Sequence, residues 1–344
     1  MKNNRQYLLD GTRIAMAYIG TVIGAGFASG QEIMQFFTRF GYQSFWAILL
    51  STILFITIGK KILLLGKRLN AKSYGVLIDH VFGITSPLVN LYLAVSFILL
   101  CGAMFAGGGA LLLEHLGIPF LIGALITALL TLVVTICGMQ GILTANTIIV
   151  PSITLFSFII LIYVIRHSYI PADSLQVIPG ELMPLIRTGV TYASFNLILS
   201  IGVLAPMGGI VKDIRALYIG SIMGGCLLGV MLLINNYSLL HFTPEVFHKE
   251  IPLLFIVKGM GTLFVGVYGI IIWLEIFSTA IGNLFAITTI IQEKFKITSN
   301  IPAVVVTLIG MLICLLGFST IVSWFYPILG IIGFVLVGII LVQT

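Results

Sequence analysis

Apolar residues run almost unbroken through ten stretches of this chain, at roughly 14–37, 44–66, 86–113, 118–138, 143–165, 186–208, 215–240, 255–291, 301–317 and 320–342. A helix needs about 20 apolar residues to cross the hydrocarbon of a bilayer. Each stretch meets or nearly meets that length, so the pattern predicts an all-α integral membrane protein of about ten transmembrane helices. The stretch at 255–291 is too long for one crossing. It reads as a short amphipathic approach helix from Pro252 to Gly261, followed by a span over roughly 262–290. Only Gly317-Phe318-Ser319 separates the ninth span from the tenth. The polar stretches 67–85, 166–184 and 241–252 are expected to be loops, with room for short surface helices, and nothing divides 1–344 into separate domains.

Composition agrees with lipid as the outer solvent. Of 344 residues, 59% are hydrophobic and only 8% are charged, against about 25% charged in an ordinary soluble domain. The formal net charge of +6 would suggest a nucleic-acid partner in a soluble protein. Here the cations lie between apolar runs and mark topology, and no nucleic acid is expected. With the N-terminus inside, the inner group is Lys2, Arg5, Arg13, Lys60, Lys61, Lys67, Arg68, Lys72, Lys212, Arg215, Lys294 and Lys296, leaving Arg39, Arg166, Arg187, Lys249 and Lys258 outside. That excess places both termini in the cytoplasm of a cell-membrane protein, in keeping with an even number of spans. No cleavable signal peptide is expected, because Asp10 and Arg13 follow the basic start before any apolar run. Cys101, Cys137, Cys226 and Cys314 are far apart within apolar runs and read as small buried hydrophobes. His241, Glu245 and His248 read as a solvated loop rather than as metal ligands.

The chemistry is concentrated where the apolar helices carry residues that helices tolerate poorly. Gly20, Gly24, Gly26 and Gly30 fall at the middle of the first span, and each costs about 1 kcal/mol relative to alanine in a helix interior. Two readings stand. Gly20-xxx-Gly24 and Gly26-xxx-Gly30 fit close helix packing. They also fit an unwound turn, whose freed backbone groups are tolerated at membrane depth only against protein or a wet cavity. The sixth span carries Ser194, Phe195, Asn196, Leu199 and Ser200, then Pro206. Interruptions in the first and sixth of ten spans divide the chain five plus five, which is how inverted repeats with a mid-membrane site arise.

Span eight adds Glu275, Ser278 and Thr279 at i, i+3 and i+4, on one helical face. A carboxylate at that depth calls for a cavity or a partner. Glu32, just after the glycines, reads as solvated in a vestibule, with direct substrate contact as the alternative. Gly107-Gly108-Gly109 reads as close packing, with cavity lining as the alternative.

The segment from Ile19-Gly20 through Ile23-Gly24 to Gly26-Phe27 resembles the first-helix signature of the amino acid–polyamine–organocation superfamily. Ser194-Phe195 through Ser200, followed by Val211-Lys212-Asp213, is similar to its broken sixth helix and the basic loop after it. The likeness in hydropathy layout covers nearly the whole chain and the motif match covers spans one, six and eight; the group the chain most resembles is the YkvI-type permeases of bacteria. The resemblance implies a LeuT-type fold of two inverted five-helix repeats, about 14–165 and 186–342, with helices 1 and 6 broken. It implies a sodium site formed by the carbonyls of Gly20, Ile23 and Glu275 and the hydroxyls of Ser278 and Thr279. Lysine is absent from 143–165, where proton-coupled relatives place one, which favours sodium; Glu275 stands where a small residue is expected and leaves proton coupling open. The amides of Gly24, Ala25 and Gly26 would then hold a substrate carboxylate. Carbonyls around Phe195 to Leu199, with Ser194, Asn196 and Ser200 nearby, would hold an amino group.

A secondary transporter working by alternating access is the leading functional expectation, with a small neutral, or alternatively cationic, amino-acid-like substrate and no cofactor beyond a coupling ion. No arginine or lysine lies at mid-depth to select an acidic side chain. A ligand-binding receptor built on the same fold is the competing class. The chain has no P-loop, HExxH or GxSxG motif, which argues against ATP hydrolysis and intramembrane hydrolases.

Overall fold

The computed structural model describes residues 2–167, 182–249 and 251–342. Most of the loop expected at 166–184 lies outside the described residues. The helices in chain order are α1 (Lys2–Val22), α2 (Ala25–Ser29), α3 (Gln31–Phe36), α4 (Ser44–Arg68), α5 (Tyr74–Phe82), α6 (Ser86–Leu116), α7 (Phe120–Ile136), α8 (Gly138–His167), α9 (Leu182–Ile210), α10 (Ile214–Leu240), α11 (Pro252–Lys258), α12 (Thr262–Phe295), α13 (Ile301–Ile313) and α14 (Phe318–Val342). Short 3-10 turns link several of them, and no strand occurs among the described residues. Six helical stretches, carrying α4, α6, α8, α9, α10 and α12, are long and apolar enough to cross a membrane by length and composition. The apolar helices at 120–136, 301–316 and 332–342 are shorter. Leu121, Ile122, Leu125, Leu129 and Val133 of α7, and Leu308 and Leu312 of α13, are exposed. In lipid such side chains need no cover.

Helix ends follow local chemistry. Gly317 has a positive φ of 82° and separates α13 from α14. The approach helix before span eight is present as α11, with Gly261 at φ 106° starting α12. Asp213 caps α10 by accepting from the Arg215 backbone N–H at 2.9 Å. Its hydrogen bonds from Arg215 hold the Asp213 carboxyl below the usual carboxylate range.

Small residues set the core packing. A Cβ at Gly66 would overlap the Ala205 carbonyl, and one at Gly208 the Leu63 carbonyl, so α4 and α9 touch backbone to backbone. Tyr18 of α1 reaches α4, donating its hydroxyl to the Phe55 carbonyl at 2.8 Å. At one end of the bundle Lys67 donates to the carbonyls of Val211 (2.7 Å) and Lys212 (2.9 Å), at the C-terminal end of α9. Ser73 bonds Glu293 between the α4–α5 connection and α12.

Two expectations change and one alternative is decided. The sixth span is not broken: α9 runs helical from Leu182 to Ile210 through Pro206. Its polar residues bond within their own helix, Asn196 to the Tyr192 carbonyl (3.0 Å) and Ser200 to the Asn196 carbonyl (2.5 Å), so the carbonyls around Phe195 to Leu199 are not freed by unwinding. Cys137 and Cys226 are exposed rather than buried, whereas Cys101 and Cys314 are buried. Gly107, Gly108 and Gly109 pack tightly against Phe318, Thr127 and the Phe120 backbone, which favours close packing over cavity lining.

Candidate ion and substrate site

The helix of the first span stops at Val22 and resumes at Ala25, leaving Ile23 and Gly24 between two helical segments. Gly24 is extended at φ −127°, ψ −168°. A second corner follows at Gly30, φ 85°, where a side chain would be strained and would also collide with Leu253 of α11. Both corners are glycines, and the second needs one.

Oxygens from three helices converge on the break. Ser278 Oγ lies 2.9 Å from the Gly20 carbonyl and 2.5 Å from Oδ1 of Asn146, so its single proton serves one of them at a time. Thr279 Oγ1 lies 3.2 Å from the Ile23 carbonyl and 3.0 Å from the Glu275 carbonyl. The expected cation ligands at Gly20, Ile23, Glu275, Ser278 and Thr279 therefore lie side by side at the break. Neutral carbonyls and hydroxyls in such a cluster are the donor set of a hard cation. Asn146 on α8 is the addition that sequence reasoning missed. Its signal is a lone amide inside the apolar run 143–165. It packs so closely that a Cβ at Gly20 would overlap its Oδ1.

The expected substrate residues are only partly together. Gly24 and Gly26 are half-buried at the break, with Ala25 buried between them. On α9, Phe195 and Leu199 pack instead with Leu100 and Tyr92 of α6. The Ser194 carbonyl faces Gly333 of α14. Asn196 and Ser200 are buried and back-bonded, one turn and two turns after Tyr192. Tyr192 itself packs against Phe36, Phe37 and Phe55.

Two acids stand on the helices that adjoin the short helix α2. Glu32 of α3 is 8% exposed, so it is not solvated in a vestibule, and its carboxylate folds back onto Gly26. Glu275 of α12 is fully buried at 0%, and neither of its carboxylate oxygens has a hydrogen-bond partner. It lies two turns along the same face from Tyr268, whose hydroxyl bonds the Ala28 carbonyl at 2.5 Å.

Solved structures share this architecture. The chain superposes on a substrate-bound, outward-open Na+-coupled sialic acid symporter with a TM-score of 0.66 and 12% identity, covering 96% of this chain and 78% of that one. With MhsT in complex with L-phenylalanine the TM-score is 0.67 at 16% identity, covering 93% and 87%. With Mhp1, a nucleobase-cation-symport-1 family transporter closed on bromovinylhydantoin, it is 0.63 at 13%, covering 93% and 74%. Fold and site together define a multi-pass membrane protein of the LeuT fold. No family profile matches the sequence. The chain is 31% identical over 334 residues to the uncharacterized membrane protein YkvI of Bacillus subtilis (strain 168), covering 96% of this chain and 95% of that one, and it belongs to the YkvI family. It is also similar to the uncharacterized protein YyaD of the same organism, at 22% identity over 326 residues.

Proposed function

We propose that this protein is a secondary transporter, not an enzyme, in which a cation bound beside the broken first helix is coupled to movement of a small neutral amino acid or related amine. The observation that carries the reading is the convergence of Gly20, Ile23, Glu275, Ser278 and Thr279 oxygens where helix α1 unwinds. Unwinding leaves carbonyls short of partners, and a desolvated cation is what such carbonyls satisfy best at membrane depth. Sodium fits the neutral oxygens; the Glu275 carboxylate, without a partner, offers a proton-coupled alternative. The cation would hold α1 against α12, so that its binding and release bias the exposure of Gly24 to Gly26 to one side or the other. In this reading the chain is one domain, 1–344, of repeats about 14–165 and 186–342 in opposite orientation. It lies in the cell membrane with both termini cytoplasmic, as the distribution of Lys and Arg supports. Its oligomeric state does not enter the mechanism.

The test uses detergent-purified protein and proteoliposomes. A ligand that binds only the folded state raises apparent thermal stability by mass action. Sodium, against potassium, is expected to raise it and to drive uptake. Replacing Ser278→Ala and Thr279→Ala together should raise the half-saturating sodium concentration by about tenfold or more, given that hydrogen bonds or contacts to a charged group are worth about 1.5–3 kcal/mol. A double variant with native sodium dependence would remove the cation site from the mechanism. Saturable binding with no counterflow in proteoliposomes would convert the reading to a receptor.

A further inference from the structure

The resemblance places a substrate carboxylate on the amides of Gly24 to Gly26, but an acid already lies against Gly26. Glu32 folds back from the first turn of α3 until its Oε1 lies against Gly26, close enough that a Cβ there would overlap it. Its Oε2 is buried with no hydrogen-bond partner. Among the described residues the only ion pair is Arg215 with Asp213, far along the chain at the head of α10, so no cation neutralises Glu32. Tyr192, which packs on Phe36 one helical turn after Glu32, also has a buried hydroxyl without a partner. Its ring is held at 5.3 Å from Phe36 and 4.9 Å from Phe37. A buried carboxylate is stable only with a proton or a cation. Gly26, beneath it, is only partly buried at the break.

We propose that Glu32 is the partner of the substrate's ammonium group, and that the solute is a small organic amine of net positive charge with no carboxylate beside Gly26. This rests on the transporter reading and selects within it. Like charges repel strongly where water is excluded, so a zwitterion could not place its carboxylate on Gly26 while Glu32 is ionised. An ammonium group can donate to both Glu32 oxygens. Phe36 stands one helical turn after Glu32 on α3, in ring contact with Tyr192, and aromatic faces favour an organic cation over a hydrated metal ion. Glu275 belongs to α12 and Glu32 to α3, so the coupling cation and the amine each have an acid of their own.

The experiment compares solutes that share one carbon skeleton: 3-methylbutylamine, leucine and 4-methylpentanoate; 2-phenylethylamine, phenylalanine and 3-phenylpropanoate; 1,5-diaminopentane and lysine. Each is titrated against the thermal stability of the full chain in detergent with sodium present. The expected result is that an amine stabilises the native protein at lower concentration than its zwitterion, and that its acid has no effect. Glu32→Gln, which keeps the shape and removes the charge, should raise the amine's half-effective concentration about tenfold or more while the sodium response persists as the control for folding. Glu32→Asp, which keeps the charge, should preserve the preference for the amine. The proposal is overturned if a zwitterion stabilises better than its amine, if no amine stabilises, or if Glu32→Gln leaves the amine titration unchanged. Those outcomes with the sodium response intact remove the amine assignment alone; a native protein that does not respond to sodium removes the sodium-coupled reading beneath it.

Discussion

The first span and α9 each bring small and polar residues to mid-membrane, yet one unwinds and the other does not. In the first span the interrupting residues are glycines, which have no side chain with which to replace a lost backbone bond. The carbonyls of Gly20 and Ile23 are met from outside by Ser278 and Thr279. In α9 the interrupting residues are Asn196 and Ser200, and both bond carbonyls one turn back in the same helix. Polar residues can thus bond the helix that carries them as readily as they can mark a break in it. What separates the two regions is whether a neighbouring helix offers groups to take over the backbone's hydrogen bonds. α12 offers two hydroxyls to the first span, whereas α9 is closed against α4 by glycine contacts.

Three variants press on that contrast. The largest effect is expected from Gly20→Val. Its side chain would displace Asn146 and approach Ser278, an overpacking defect of about 1–3 kcal/mol. Apparent melting temperature should fall and the sodium-induced rise should vanish; a variant that still responds to sodium would show that the Gly20 carbonyl is not a ligand. Asn146→Ala comes next. It removes the acceptor 2.5 Å from Ser278 and frees that hydroxyl for the Gly20 carbonyl. Loss of about 1 kcal/mol should weaken sodium about fivefold in the same titration, and unchanged sodium affinity would make Asn146 a packing residue only. The smallest effect belongs to Asn196→Ala with Ser200→Ala. Because both side chains bond their own helix, amine and sodium titrations should move less than about threefold, with stability changed by about 1 kcal/mol or less per site. A loss of tenfold or more in substrate affinity would mean that α9 opens at the site when ligand binds, and the contrast between the two spans would hold only for the unliganded protein.

Much of the candidate cation cluster was legible along the chain, because spacing on a helix is local. Glu275, Ser278 and Thr279 must share a face once span eight is helical, and glycines at 20 and 24 mark where backbone can be approached closely. The course of α11 into α12 likewise followed from Pro252, Gly261 and the excess length of the apolar run. Asn146, Tyr192 and Glu32 were harder, since their roles depend on residues more than a hundred positions away or on the direction a side chain takes at a corner.

The sequence by itself determined the membrane setting, the order of the helices and the chemical character of the first, sixth and eighth spans, for these depend on runs of apolar residues and on periodicity along one segment. Only the tertiary structure decided which interruption became a break, since an unwound carbonyl is tolerated only where another helix supplies a donor. It also decided that Glu32 lies buried on Gly26 rather than in a vestibule: Gly30 turns the chain at φ 85° and swings α3 back over the site, and no local pattern of residues fixes the direction of that turn.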